Sequence, residues 1–560
     1  MMERDIPDSQ VHDVAPLQGS QAPVARFETL VPFTAPVGLL DGGVSLDPPE
    51  EALLDTYGRC KSRQNRTGTS VAQIRRELAQ IWHLMLALRI DEAVCGIEQL
   101  EPRLDGVPPA NARSLRAATQ LLRAVGFTYQ DDSLAALPIA VWLLKKGGTT
   151  HDNHAALTLC RLGFWRLGEF DRFSLLPRLE PRARWSKSLA MSAMLDLAME
   201  AAVALDHLRL STAKRLALDA LNIAKSTPKE AAGLATVPAC VTAQVLYEEG
   251  CLDQADTLLR DQLPAINGRG PIESALRAYL VLTRIAKQRQ QYDFAALLLR
   301  EAETLGERRG WPRLVAACLA ERASLLLWGG QTREARLVLE HLNRYAESHR
   351  SGSGHSTAEI TRYRTLTRWR VTWAETPSRE AVAALRQLYH LALEKQDLYV
   401  GCGVAVELAE MLVVLKEFEE ADALFFHILK AAAVAGLYQV FLEGGSASGI
   451  LLRRAYARAA APASTDRDVL PFVGSLLSRW DARNAGSPPK RPSSRVSDTL
   501  TAREHNVIVM IGQGFANKQI AHILEISPET VKSHVKRIFT KLAVSTRTQA
   551  VFRAGSLGLL

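Results

Sequence analysis

Between about Ser70 and Trp480 one short pattern returns every forty or so residues: an apolar residue, then usually an acid or small polar residue, then a small residue three places after the first. Ile90-Asp91-Glu92-Ala93, Leu210-Ser211-Thr212-Ala213, Leu252-Asp253-Gln254-Ala255, Tyr292-Asp293-Phe294-Ala295 and Phe418-Glu419-Glu420-Ala421 show it plainly. Asp132–Ala135, Phe170–Phe173, Thr332–Ala335 and Ser378–Ala381 are further copies, so the anchors run 93, 135, 173, 213, 255, 295, 335, 381 and 421. The intervals lie between 38 and 46 residues, the length of a helical hairpin. A pair of helices this small cannot bury its own apolar face, so successive pairs must stack into a solenoid. The expected unit has helix A ending in a short turn, often with glycine (Gly168, Gly250, Gly329–Gly330). Asp or Ser then caps helix B, and the alanine on its first turn lets the two helices approach closely. The expected class is all-α, with about nine tetratricopeptide-like hairpins, longer than the consensus unit of about 34 residues.

The rest of the composition sets limits. With 560 residues, 47% of them apolar, the chain has ample material for several cores. No apolar run approaches twenty residues and the N-terminus starts acidic and polar, so neither a membrane span nor a signal sequence is expected. The seven cysteines are scattered, odd in number and never paired as Cys-x-x-Cys, which fits reduced thiols in a cytoplasm. Residues 1–68, interrupted by Pro7, Pro16, Pro23, Pro32, Pro36, Pro48 and Pro49, are expected to be poorly ordered. The expected division is an N-terminal extension over 1–68, repeats over 69–480, a flexible basic linker over 481–498 and a last domain over 499–560.

That last domain reads as a helix-turn-helix. Thr501 with Glu504 forms the capping-box pattern, and Val507, Ile508 and Ile511 continue one face until Gly514. A second helix is expected from Asn517 to Glu525 with Ile520, Ala521, Ile523 and Leu524 inward. After a tight turn, Ser527 caps a third helix that has Pro528 at its first position. Val531, Val535, Ile538, Phe539 and Leu542 make its buried stripe, leaving Lys532, Ser533, Lys536 and Arg537 to face elsewhere. Cations and short hydroxyls near a helix N-terminus suit the DNA major groove. His534 and Lys541 lie further round, toward phosphates or neighbouring helices. A fourth helix over about 546–557 carries Ala550, Val551 and Ala554 as a seam for the core or for a second copy. Eight Lys and Arg against three Glu from Thr499 onward hold most of the chain's net +8.

The ordered motifs Leu500-Thr-x-Arg-Glu, Asn517-Lys-x-Ile-Ala, Ser527-x-x-Thr-Val-Lys-x-His and Lys541-Leu-x-Val-x-x-Arg-x-x-Ala resemble the DNA-binding domain of the LuxR/NarL transcription regulators. The resemblance implies a four-helix reader in which Lys532, Ser533 and Lys536 face base edges, while Thr530, Lys518 and Arg537 contact backbone. It also implies two readers on a two-fold promoter site in double-stranded DNA, hence a homodimer there. Two departures stand out: His505 replaces an aliphatic residue, and Ala516 replaces a capping hydroxyl at a cost of about 1 kcal/mol. Gly436–Gly444, Leu451–Arg454 and the Pro238–Pro264 stretch are similar to the superhelix of large MalT-type LuxR regulators. In that group an ATPase domain precedes the superhelix. This chain has no Gly-x-x-x-x-Gly-Lys-Ser/Thr, and no room for such a domain before the repeats is expected, so no nucleotide cofactor is carried over.

Other clusters carry little. His151-Asp152-Asn153-His154 reads as a polar inter-helix loop rather than a metal site, and Ser351–Ser356 as a flexible connection rather than a phosphate cradle. Arg362, Arg364, Arg368 and Arg370, interleaved with Trp369, read as an exposed helix face in preference to a second nucleic-acid patch. No catalytic constellation stands out, so no enzyme is expected. The expected function is a cytoplasmic, sequence-specific regulator whose solenoid receives a small molecule or a partner protein on its concave surface. The alternative is an interaction scaffold weakly anchored to DNA, with a degenerate ATPase a distant third.

Overall fold

The structure, a computed structural model, describes residues 70–560 except 88, 147–149, 179–186, 226–231, 351–353, 462–465, 485–499, 514, 525, 543–546, 548–549, 552–553 and 555–560. The N-terminal extension and the linker expected from the sequence thus lie almost entirely outside the described residues.

From Val71 on, the chain is helical throughout and pairs off as the repeat predicts. The hairpins are α1 (Val71–Leu86) with α2 (Ile90–Leu100), α3 (Pro109–Tyr129) with α4 (Ser133–Lys146), and α5 (Thr150–Arg166) with α6 (Phe170–Leu175). Next come α7 (Lys187–Asp206) with α8 (Leu210–Ala224), α9 (Thr236–Glu248) with α10 (Leu252–Arg269), and α11 (Ile272–Gln288) with α12 (Tyr292–Arg309). The last three pair α13 (Pro312–Trp328) with α14 (Thr332–Ser348), α15 (Gly354–Glu375) with α16 (Arg379–Glu394), and α17 (Leu398–Val414) with α18 (Phe418–Ala435). The short α19 (Gln439–Leu442), then α20 (Ser446–Ala460) and α21 (Leu470–Asn484) close the superhelix.

The anchors do what their size requires. Ala93, Ala213, Ala255, Ala295, Ala335, Ala381 and Ala421 are all fully buried, and Phe173 nearly so. One copy is shifted by a residue: Ala136, whose N–H bonds Asp132 O, occupies the anchor position instead of the partly exposed Ala135. The caps differ more. Helix B is preceded by Arg89, Arg209, Cys251, Gln291 or Glu417, none of which caps through its side chain. The acids expected as caps sit inside the first turn (Asp91, Asp253, Asp293, Glu419), where they favour the positive end of the helix dipole. Side-chain caps come from Asp132, Ser378 and Asp397.

What joins the helices instead is a backbone motif. A residue at positive φ follows the first helix, and the next N–H reaches back five residues, as in Cys251 N to Leu246 O at 2.8 Å and Glu417 N to Leu412 O at 2.9 Å. This is a Schellman closure fused directly to the next helix. Glycine fills the position at Gly168, Gly250 and Gly330, but Asp131, Leu208, Gln290, Gln396 and Lys416 adopt it too, against about 1–2 kcal/mol of steric resistance. Lys416 is exposed at φ 64°, so Lys416→Gly is expected to stabilise the chain by about 0.5–1 kcal/mol once glycine's extra unfolded-state entropy is counted. Chemical denaturation followed by circular dichroism measures this.

Ionic pairs repeat with the hairpins. Arg336–Glu375, Arg370–Glu407, Arg379–Glu417 and Arg454–Asp422 each link one hairpin to the next. The arginines of α15 belong to this set: Arg362 pairs with Glu359 and Asp397, Arg364 with Glu347, and Arg370 with Glu407, so these three guanidinia act as ties between helices. Two further expectations fail for a shared reason. The His151–His154 stretch and Gly354–Ser356 lie in the first turns of α5 and α15, not in loops, because helix A of each hairpin starts earlier than the polar residues imply.

Contacts also recur five or six hairpins apart. Trp311 Nε1 donates to Tyr129 O at 2.8 Å, and Arg313 forks onto Asp131 at 2.8 and 3.0 Å. Ser356 Oγ donates to Asp131 Oδ2 at 2.7 Å. Arg313 also reaches Glu273 (2.8 Å) and Glu359 (3.0 Å), while Arg166 holds Glu273 through two bonds of 2.7 Å. The two guanidinia hold the buried Glu273 carboxyl well below its ordinary range, outweighing the upward push of burial. Tyr438 N likewise donates to Glu248 O at 3.0 Å. The turns of early hairpins therefore rest on the starts of helices one superhelical turn later. Among the described residues no helix is long and apolar enough to cross a membrane. Six described cysteines are reduced, four of them buried.

Candidate nucleic-acid interface

Towards the C-terminus, α22 (Ala502–Gly512), α23 (Asn517–Ile523) and α24 (Pro528–Leu542) build a separate small core. Thr501 Oγ1 accepts from Glu504 N at 3.2 Å while Glu504 Oε2 accepts from Thr501 N at 2.8 Å, completing the expected capping box. Glu504 is buried, which alone would raise its carboxyl. Lys541 Nζ at 2.6 Å and the Thr501 bonds overcome this and hold it below the usual carboxylate value. Lys541 thus ties α24 to α22 and is spent within the fold.

Ala516 has no side-chain acceptor, so α23 keeps half a box: its N–H donates to Gln519 Oε1 at 2.8 Å. Helix α23 is also shorter than expected and ends at Ile523, which is 48% exposed rather than inward, while Ile520 and Ala521 are buried. Ser527 Oγ accepts from Thr530 N at 3.1 Å and so caps α24. Val531, Ile538 and Leu542 are buried, with Val535 and Phe539 packed partly against the same cluster. The helical residues Ala550, Val551 and Ala554 join this core, which settles the seam as internal. Arg547 bonds Phe515 O and Asn517 Oδ1, a tie the sequence reading passed over although the arginine is part of the closing motif.

The opposite face of α24 is bare. Glu529, Thr530, Lys532, Ser533, Lys536, Arg537 and Thr540 are all exposed and recur at helical spacing along one side. Lys532 Nζ lies 2.6 Å from Glu529, both solvated, so the pair is cheap to part. Thr530 Oγ1 shares a 2.8 Å bond with Ser527 Oγ, and Lys518 is exposed on α23. His534 is half-buried, and its Nδ1 finds no partner among the described residues. The structure therefore groups Lys532, Ser533, Lys536, Arg537 and Thr530 on one helix face and turns His534 partly away. Among the described residues no group of three His, Cys, Asp or Glu is placed to hold a metal.

A capped three-helix core that presents its third helix with cations outward is a helix-turn-helix DNA reader. Comparison gives its kind: residues 498–554 match the model of the bacterial regulatory proteins of the luxR family, and this segment is a LuxR-family domain. Over 57 residues it is 44% identical to the response regulator protein VraR of Staphylococcus aureus, covering 10% of this chain and 27% of that protein. A longer match, 24% identical over 328 residues, is to the HTH-type transcriptional regulator MalT of Vibrio campbellii, covering 57% of this chain and 35% of the relative. The chain thus spans about a third of the length of the MalT relatives it matches. A crystal structure of Rap protein complexed with competence and sporulation factor superimposes with TM-score 0.48 at 15% identity, over 65% of this chain and 98% of that one.

Proposed function

We propose that the chain is a sequence-specific transcription regulator that binds promoter DNA through α24 and is controlled through its helical repeats. The carrying observation is the exposed Thr530, Lys532, Ser533, Lys536 and Arg537 face on a helix whose other side is core. In this reading Lys532, Ser533 and Lys536 meet base edges in the major groove, and Thr530, Arg537 and Lys518 meet phosphates. His534, half-buried, serves at most a phosphate at the helix edge. Lysine reads guanine acceptors without the fixed fork of arginine, so the hydroxyl of Ser533 sharpens the choice.

One such domain reads a half-site, so two copies sit on a two-fold DNA site. The similarity to MalT extends far beyond the reader into the repeats, which supports a receiving role for the superhelix. A small molecule or protein partner bound there needs to contribute only about 1.4–3 kcal/mol of coupling for a ten- to hundredfold change in DNA affinity. Such a regulator works in the cytoplasm at the nucleoid. Footprinting of the full chain across genomic fragments tests the reading. A sharp two-fold protected site is expected. Diffuse coating that disappears with modest salt would mean phosphate attraction alone, as a DNA-anchored scaffold requires.

A further inference from the structure

The fifth hairpin grips the end of the superhelix. Tyr438 N donates to Glu248 O at 3.0 Å, and the Tyr247 hydroxyl donates to Glu443. Gln288 Nε2 bridges Tyr247 Oη (3.1 Å) and Gln439 Oε1 (2.6 Å). Arg479, on α21, stacks on Tyr438 at 4.2 Å and points at Glu249 O. Its guanidinium lies where a Cβ on Gly250 would stand, at φ 85°, so the turn is shaped to admit it. The contacts to the closing segment join residues 151 to 230 apart in sequence, and α21 is the last described helix ahead of the DNA reader.

At the centre lies the Glu248 carboxyl, 1% exposed. Tyr399 donates to one oxygen, and the other has no partner among the described residues. Facing it are Glu443 from the closing segment, Arg284 from α11, and Tyr399 and Cys402 from α17, with Tyr247 beside it on α9. Arg284 and Lys287, which also face Glu321 on α13 (3.7 Å from Arg284), hold the Glu443 carboxyl below its ordinary value against the push of burial. Arg483 adds a third cation on the Glu443 side. These cations therefore favour the charged form of Glu443 over that of Glu248.

We infer that these contacts form a proton-dependent latch: neutral Glu248 keeps the fifth hairpin closed on α19 and α21, and its ionisation releases them. The direction follows from burial first and from Glu443 second. Together they outweigh the Tyr399 hydrogen bond and the Arg284 charge, and the Glu248 carboxyl rises from 4.5 to about 8. The closed form thus keeps a proton that an exposed carboxyl has lost, so its advantage is full below about 4.5 and is lost progressively as pH rises to about 8. Opening puts Glu248 and Glu443 in water, where both carry charge at little cost. A cytoplasmic alkaline shift, or any ligand that parts the two segments, then alters the last helix ahead of the reader.

Hydrogen exchange of the full chain, corrected for intrinsic rates, tests this. Between about pH 7 and about pH 9, amides of 438–443 and 470–484 are expected to lose protection about tenfold relative to those of 133–146. Glu248→Gln keeps the uncharged shape, so its closing segment is expected to stay protected at both values. Tyr247→Phe removes the hydroxyl from Glu443 and is expected to leave the segment open at both. A Glu248→Gln chain that loosens with pH as the wild type does overturns the latch, and so does equal loss of protection in every helix.

Discussion

Arg313→Ala is expected to destabilise the superhelix by about 3–5 kcal/mol, as removal of one partner from a buried ionic cluster does. The guanidinium is 6% exposed and pairs with Asp131, Glu273 and Glu359 together. Its removal leaves three carboxylates, two of them deeply buried, with Arg166 beside Asp131 and Glu273 and Arg362 beside Glu359. Arg313→Lys is expected to recover little, because an ammonium cannot serve three carboxylates in the planar geometry of the fork. The loss also couples distant parts of the chain, since Asp131 lies 182 residues from Arg313 in sequence. Urea titration followed by far-ultraviolet circular dichroism reads the effect. A midpoint shift worth less than about 1 kcal/mol would mean that the buried carboxylates take up protons or water at no great cost.

The second large effect is on DNA. Lys532→Ala with Lys536→Ala is expected to cost the specific complex about 1–3 kcal/mol for each lost base contact, while binding to unrelated duplexes falls far less. Both side chains are exposed and make no tie within the core, so folding is expected to be unaffected. Lys541→Ala is the contrasting control. That ammonium holds the buried Glu504, so its loss is expected to loosen the domain rather than to relax sequence preference. Mobility-shift titrations with cognate and scrambled duplexes, beside thermal unfolding of each variant, separate the two kinds of loss.

The repeat was legible because close helix packing demands a small residue at one place in every hairpin, and that demand writes a period into the chain. It was misread where Ala135-Ala136 offers two small residues in succession and the pattern alone cannot choose. The joints were not legible. Sequence reading looks for glycine at positive φ, whereas Leu208, Gln290 and Lys416 take that conformation because the two packed helices fix the backbone from both sides. The ionic contacts across the superhelix left no sign either, since they depend on how far each hairpin rotates against the last. In the reader, capping residues and the apolar stripe specify local structure directly, which is why α22 and α24 were foreseen closely. Helix α23 was overextended because Ile523 fits the apolar pattern yet comes at the rim of the core.

The most direct test of the account is competition binding by the full chain at physiological ionic strength, with a footprinted two-fold duplex set against a scrambled duplex of equal length and composition. The account predicts a preference of about a thousandfold or more for the former, abolished by the paired lysine changes. Equal retention of the two duplexes would contradict it.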